Sequence, residues 1–290
     1  MGKTAVPFPL LFGRENSMMS VRRTRGGKTM DTQLLMRTAM LAGEILLRSG
    51  AETYRVEDTM HHILKTAERI EDVEILVIMT GISATLKVEG EEATTYIKRV
   101  EDSSTNMSHV VNVNDISRRY CGGDLTLSEA YEALKGLDGA SEFARREYNL
   151  AAAGICVGFA IFFGGNLWDV GAALVVGAFL AFCLSASRDL KLHAFIQDIF
   201  AAFGVAVMSI FMQVILGSRM NMDTVMISSI MPLVPGVAIT NAVRDTLRGD
   251  YLSGTARILE AFLRAAGIAV GIGIGLAVFG NLVNGGGILS

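Results

Sequence analysis

The chain has 290 residues, a formal net charge of −3, 51% hydrophobic and 7% aromatic residues. Its three cysteines, Cys121, Cys156 and Cys183, are widely spaced and form no CxxC, which argues against a disulfide framework or a cysteine metal site. No P-loop, Rossmann fingerprint or GxSxG motif is present, so ATP is not an energy source within this chain, and neither a cofactor nor a nucleic-acid partner is expected.

The net charge averages three unlike pieces. Residues 1–30 carry six Lys/Arg against Glu15 alone, residues 31–143 carry 11 against 20 Asp/Glu, and residues 144–290 carry 9 against 8. The basic, proline-containing start reads as a disordered arm. It lacks the apolar core and small-residue cleavage site of a signal peptide.

Residues 31–49 carry a helical pattern, with Leu34, Leu41 and Ile45 on one side and Arg37, Glu44 and Arg48 on another. Ser49-Gly50 stops that helix. A second amphipathic helix follows through Val56, Met60, Ile63, Leu64, Ala67 and Ile70. The period then changes to two. A short apolar run at 74–80 precedes Ile82, Ala84, Leu86 and Val88, which alternate with Ser83, Thr85, Lys87 and Glu89 as in a half-buried strand. Glu89-Gly90-Glu91 is a turn, and 93–100 is the returning strand. Two helices follow, one over roughly 104–120 and one opened by the capping box Thr126-Leu-Ser-Glu129. The expected fold class of 31–143 is therefore a small α+β soluble domain, placed in the cytoplasm. His61 and His62 are adjacent, point about 100° apart on a helix and read as surface histidines.

From 144 to 290 the chain reads as an α-helical, five-helix transmembrane bundle. Its apolar segments lie at about 149–167, 170–187, 194–216, 224–243 and 253–282, each close to the length needed to cross about 30 Å of hydrocarbon. Lys and Arg fall at alternate ends: Arg145 and Arg146, then Arg188 and Lys191, then Arg244 and Arg248. That alternation predicts an inside N-terminus and an outside C-terminus in a plasma (inner) membrane.

The fourth apolar segment contains Pro232 and Pro235-Gly236, which remove backbone donors and break a helix. A broken helix at membrane depth is tolerated where it faces protein or a water-filled cavity, and its ends can present free backbone groups to a solute. Ser229 precedes the break, and Thr240, Asn241 and Asp245 follow it, Asn241, Arg244, Asp245 and Arg248 sharing one helical face. These residues, with Gln213 in the third segment, form the expected substrate path. Asp245 is the expected partner of an amine or a coupling proton, and Asp198 is expected to face a cavity or an interface. No cation is expected deep in a helix. Trp168 reads as an interfacial anchor. Gly154xxxGly158 and Gly267xxxGly271xxxGly275 permit close helix contacts, within the chain or with a partner.

Two stretches carry a family resemblance. Ser49-Gly50-Ala51-Glu52-Thr53-Tyr54-Arg55-Val56-Glu57-Asp58 resembles the opening signature of the threonine/serine exporter (ThrE-type) family. Pro232-Leu-Val-Pro-Gly-Val-Ala-Ile-Thr-Asn-Ala-Val-Arg-Asp-Thr-Leu-Arg-Gly-Asp-Tyr-Leu-Ser-Gly254 resembles its membrane signature. The resemblance covers about 31–282 and marks Ser49, Gly50 and Glu52 as a soluble-domain motif. It implies a secondary exporter of small polar metabolites driven by an ion gradient, and not an enzyme. Full-length members resemble a soluble domain plus about ten membrane helices, so five helices imply the larger half of a split transporter. Such a half would sit in membrane lipid beside a second small polytopic protein or another copy of itself. Threonine/serine-type amino acids are the expected substrates, with dicarboxylates as the rival. The readings from other classes are a membrane-tethered hydrolase, with Glu52, Glu57 and Asp58 as acid/base groups, and an interaction scaffold using the soluble domain.

Overall fold

A computed structural model describes residues 31–100, 104–137, 145–190 and 192–284; the basic arm at 1–30 and Lys191 lie outside the described residues. The N-terminal unit comprises α1 (Thr32–Arg48), α2 (Thr53–Leu64), β1 (Ile70–Ile78), β2 (Gly81–Val88), β3 (Thr94–Arg99), α3 (Met107–Cys121) and α4 (Leu127–Leu137). The strands form one antiparallel sheet in the order β1-β2-β3. Ile82, Ala84 and Leu86 point inward, as their alternation requires, onto a core with Leu35, Ile45, Met60, Ile63, Val113 and Leu134.

Local chemistry sets the ends of these elements. Asp31 accepts the Leu34 amide at 3.1 Å and caps α1. Gly50 closes α1 with φ 78°, a conformation that favours glycine. The capping box at α4 forms as read, with the Thr126 amide donating to Glu129 at 2.8 Å and the Glu129 amide to Thr126 Oγ1 at 3.3 Å. One boundary differs. The apolar period suggested helix through Ile70, yet α2 ends at Leu64, and Arg69 turns the chain with φ 59°. Ala67 and Ile70 still pack on the core, from the turn and from β1, so the pattern held while the backbone changed.

The second half is helical: α5 (Arg145–Phe162), α6 (Leu167–Asp189), α7 (Ala194–Leu216), α8 (Met222–Ile230), α9 (Gly236–Leu247) and α10 (Tyr251–Asn284). Among the described residues, three stretches are long and apolar enough to cross a membrane: Leu167–Asp189, Ala194–Arg219 and Tyr251–Gly280. A fourth is counted if the bent pair Met222–Leu233 and Gly236–Leu247 forms one span. The remaining expected span, α5, has 18 residues and opens on Arg145, Arg146 and Glu147. Here the five-helix expectation meets three to four clear spans.

The two glycine stripes differ. A Cβ at Gly271 would lie 2.4 Å from the Ile199 carbonyl, and one at Gly275 2.6 Å from the Ala206 Cβ, so this stripe seats α10 directly on α7. Around Gly154 and Gly158 a Cβ would meet nothing within 4 Å, so that stripe has no close contact among the described residues.

Candidate functional site

The prolines break the fourth segment as their chemistry demands. A short 3-10 turn, Met231–Leu233, carries Pro232; Val234 is extended and Pro235 has ψ 53°. The ring of Pro235 disfavours helix at the residue before it. The helices on either side of the break are bent by 57°.

Beyond the break, α9 presents its polar face to the turn between α1 and α2. Asn241 Nδ2 donates to the Gly50 carbonyl at 2.8 Å. The Thr53 hydroxyl donates to Asp245 Oδ1 at 3.1 Å. Arg257, near the start of α10, donates from a terminal nitrogen to the Ala51 carbonyl at 2.9 Å and brings its Nε within 3.0 Å of Asp245 Oδ2. Arg244 pairs with Glu52, and the Arg248 guanidinium sits 3.9 Å from the centroid of the Tyr54 ring. The two signature stretches, nearly two hundred residues apart in sequence, thus form one polar cluster.

The turn that receives α9 is itself fixed. The Ser104 amide donates to the Arg48 carbonyl at 2.8 Å and the Asn106 amide to the Ser49 carbonyl at 3.1 Å. On the other side, Gly254 lets α10 approach α9: a Cβ there would fall 2.2 Å from Thr246 Oγ1 and 3.1 Å from the Ala242 carbonyl. Close packing of α10 on α9 delivers Arg257 to Asp245. That ion pair is buried, Asp245 being 1% and Arg257 5% exposed. Removing one partner of such a pair costs roughly 3–5 kcal/mol, because the other is left as an uncompensated charge. Beside the cluster, Glu57 accepts the Val77 amide at 3.0 Å. Burial pushes its carboxyl above the usual value, the Val77 amide opposes this, and Asp250 and Asp245 add to it.

Two expectations need correcting. Asp245 does not stand open to a solute amine: Thr53 donates to its Oδ1, and its Oδ2 lies 3.0 Å from Arg257 Nε, an ion pair without a well-aligned hydrogen bond. And a cation is buried among the helices: Arg257, which its place in the first turns of α10 made look like a boundary charge. The other expected path residues are dispersed. Ser229 is buried beside the break with its hydroxyl unpartnered. Thr240 is exposed and donates to the Gly236 carbonyl of its own helix at 2.9 Å. Gln213 lies in the last turn of α7, donating to the Gly217 carbonyl at 3.1 Å, and lines a cavity of about 490 Å³ with Asn166, Arg219 and Asp223. That cavity is at the opposite end of α7 from Asp198. Sequence reading also missed Asp169. Its carboxylate accepts the Asn166 amide at 2.8 Å and the Asn221 amide at 2.6 Å, joining the starts of α6 and α8.

A family model described as "Putative threonine/serine exporter" matches residues 37–279, a range that contains both halves of the cluster. The chain belongs to the threonine/serine exporter family. A relative from Mycobacterium tuberculosis (strain ATCC 25618 / H37Rv), described as a "Probable threonine/serine exporter", is 23% identical over 256 residues, covering 88% of this chain and 48% of that protein. This chain therefore spans about half the length of that exporter. No solved structure gives a significant match. Within this transporter family, the apolar helices and the broken fourth segment belong to a membrane-embedded protein.

Proposed function

We propose that this chain is a subunit of a secondary exporter of small polar metabolites, with threonine- and serine-type amino acids as substrates. The solute passes along the break between α8 and α9, beside Ser229, Pro232, Pro235, Gly236, Thr240 and Asn241. The N-terminal unit is cytoplasmic and clamps α9 through the Gly50–Tyr54 turn, so release of that clamp accompanies transport. The observation that carries this reading is the buried cluster itself. It ties the backbone carbonyls of the α1–α2 turn to the broken segment, so neither can move without the other.

In this reading α5 is the first membrane segment, the C-terminus is outside the cell, and the membrane is the plasma membrane. The exposed Gly154/Gly158 face suits a second membrane chain, either a small polytopic partner or another copy.

Arg257 gives the dicarboxylate reading a specific observation in its favour, since a buried cation is what a dianion requires. Its charge is already matched by Asp245, which keeps the zwitterion as the better solute. The hydrolase reading loses support at Glu52, whose carboxylate is paired with Arg244.

Reconstitution of the full chain, with any membrane protein that copurifies, tests the proposal. Labelled threonine and serine should exchange across the vesicle membrane and labelled succinate should not. Succinate exchange without threonine exchange would shift the substrate class, and no flux of any of the three would contradict the exporter reading.

A further inference from the structure

The helical half contains three deeply buried aspartates, and their surroundings differ. Asp169 accepts two backbone amides. Asp245 has the Thr53 hydroxyl on Oδ1 and, on an Oδ2 that likewise lacks an aligned hydrogen bond, the Arg257 guanidinium as an ion-pair partner at 3.0 Å. Asp198, in the second turn of α7, is 7% exposed, and its Oδ2 has no hydrogen-bond partner. A carboxylate removed from water without a partner is costly, and inside a membrane protein it marks an ion or proton pathway. We infer that Asp198 is the residue that takes up and releases the coupling proton of the transport cycle. This inference rests on the exporter reading proposed above.

The neighbourhood fits that role. On α10, Arg264 and Glu260 act on Asp198 electrostatically, but Arg264 is paired with Glu260 at 3.2 Å and forms no ion pair with Asp198. The charged groups at the end of α6 are engaged elsewhere, Asp189 with Arg145 at 2.6 Å and Arg188 over the Tyr148 ring. The charged residue on α8, which packs on the other half of α7, is Asp223, and it lies at the far end. Asp198 is therefore influenced by opposite charges but held by neither. A group placed this way can change its proton occupancy without breaking a salt bridge.

α7 carries two further orphan oxygens. Ser209 Oγ and Gln213 Oε1 are buried without partners. With Asp198 they are spaced i, i+11, i+15, on one helical face, the last about 22 Å along the axis from the first. Ala201, Ala202 and Val205 occupy the intervening turns and are fully buried. Along α7, then, polar sites near both ends are separated by fully buried apolar residues that pack against neighbouring helices. In the cycle one proton bound at Asp198 enters as one zwitterionic solute leaves, and the carboxyl returns its proton on the inner side.

Asp198→Asn fixes the neutral form and tests the inference. In reconstituted vesicles of the full chain with its copurifying partner, exchange of labelled threonine at equal concentration on both sides should slow as pH falls in the wild type, because the proton-loaded carrier takes no solute, and any exchange left in Asp198→Asn should no longer respond to pH. Accumulation driven by an imposed pH gradient should fall at least tenfold, and Asp198→Glu should restore it with a displaced pH profile. Unchanged pH-driven accumulation in Asp198→Asn would overturn the inference. So would wild-type accumulation that follows a sodium gradient instead, or exchange in Asp198→Asn that keeps the wild-type pH dependence. A second readout needs no solute. Purified wild type should show a protonated-carboxyl infrared band that titrates with pH and is missing in Asp198→Asn; identical spectra would overturn the inference even if threonine is not the substrate. Failure of wild-type threonine exchange, by contrast, bears on the proposed substrate.

Discussion

Asp245 and Asp198 are both acids buried among apolar helices, 1% and 7% exposed, yet one is held by an ion pair and a hydroxyl while the other forms no ion pair among the described residues. Asp245 follows the proline break, where α9, α10 and the α1–α2 turn meet, and each of its oxygens has a named partner. Asp198 sits on an unbroken helix among alanines, with an oxygen that nothing meets. Burial alone therefore does not single out a working carboxylate. A satisfied buried acid fixes geometry, and an unsatisfied one keeps free energy available for a ligand.

The sharpest way to break this comparison is to remove the partners of Asp245. Asp245→Ala and Arg257→Ala should each lower stability by roughly 3–5 kcal/mol, read as loss of protein from the membrane and a lower melting temperature. The double variant should recover part of that loss, since the two charges act as a unit. Additive effects would mean that the pair is not coupled. Gly254→Ala acts on the same pair indirectly, forcing α10 away from α9, and should cost about 1–3 kcal/mol by overpacking. Gly236→Ala, where a Cβ meets nothing within 4 Å, should be neutral or stabilising by up to ~1 kcal/mol.

At the cluster's edge the effects become small. The Arg244 side chain is 58% exposed, so Arg244→Gln should cost less than about 1 kcal/mol and matter less still at high salt. Glu57 gives the smallest effect, a slope. Because burial raises its carboxyl above the ordinary 4.5, its contribution to stability is full below that value and is lost as pH rises through the raised one. Melting curves of Glu57→Gln and wild type should coincide near pH 4 and separate above it, the variant becoming the more stable. Parallel curves across the range would remove Glu57 from the account.

Much of this was legible in the sequence where the signal was local. The alternation of Ile82, Ala84 and Leu86, the Thr126–Glu129 box and the break at Pro235 each depend on neighbours a few residues away, and each formed where its pattern lay. The cluster was legible only as two separate motifs. Nothing periodic links Thr53 to Asp245 or Ala51 to Arg257, and a close approach such as that at Gly254 is visible only once α9 and α10 are packed. Arg257 was missed for the same reason: a basic residue in the first turns of an apolar helix resembles a boundary charge until its partner is known. Asp245 was assigned to a solute because its intramolecular partners lie far away in the chain.

The central claim is that solute passage along the broken segment requires the α1–α2 turn to release α9. Tyr54→Cys with Arg248→Cys, in a Cys121→Ser background, places two thiols where the guanidinium now lies 3.9 Å from the ring centroid. Threonine exchange should stop when a short bifunctional thiol reagent with a cleavable disulfide bridges the pair, and return when the bridge is reduced. Exchange at the same rate with the bridge intact would contradict the account.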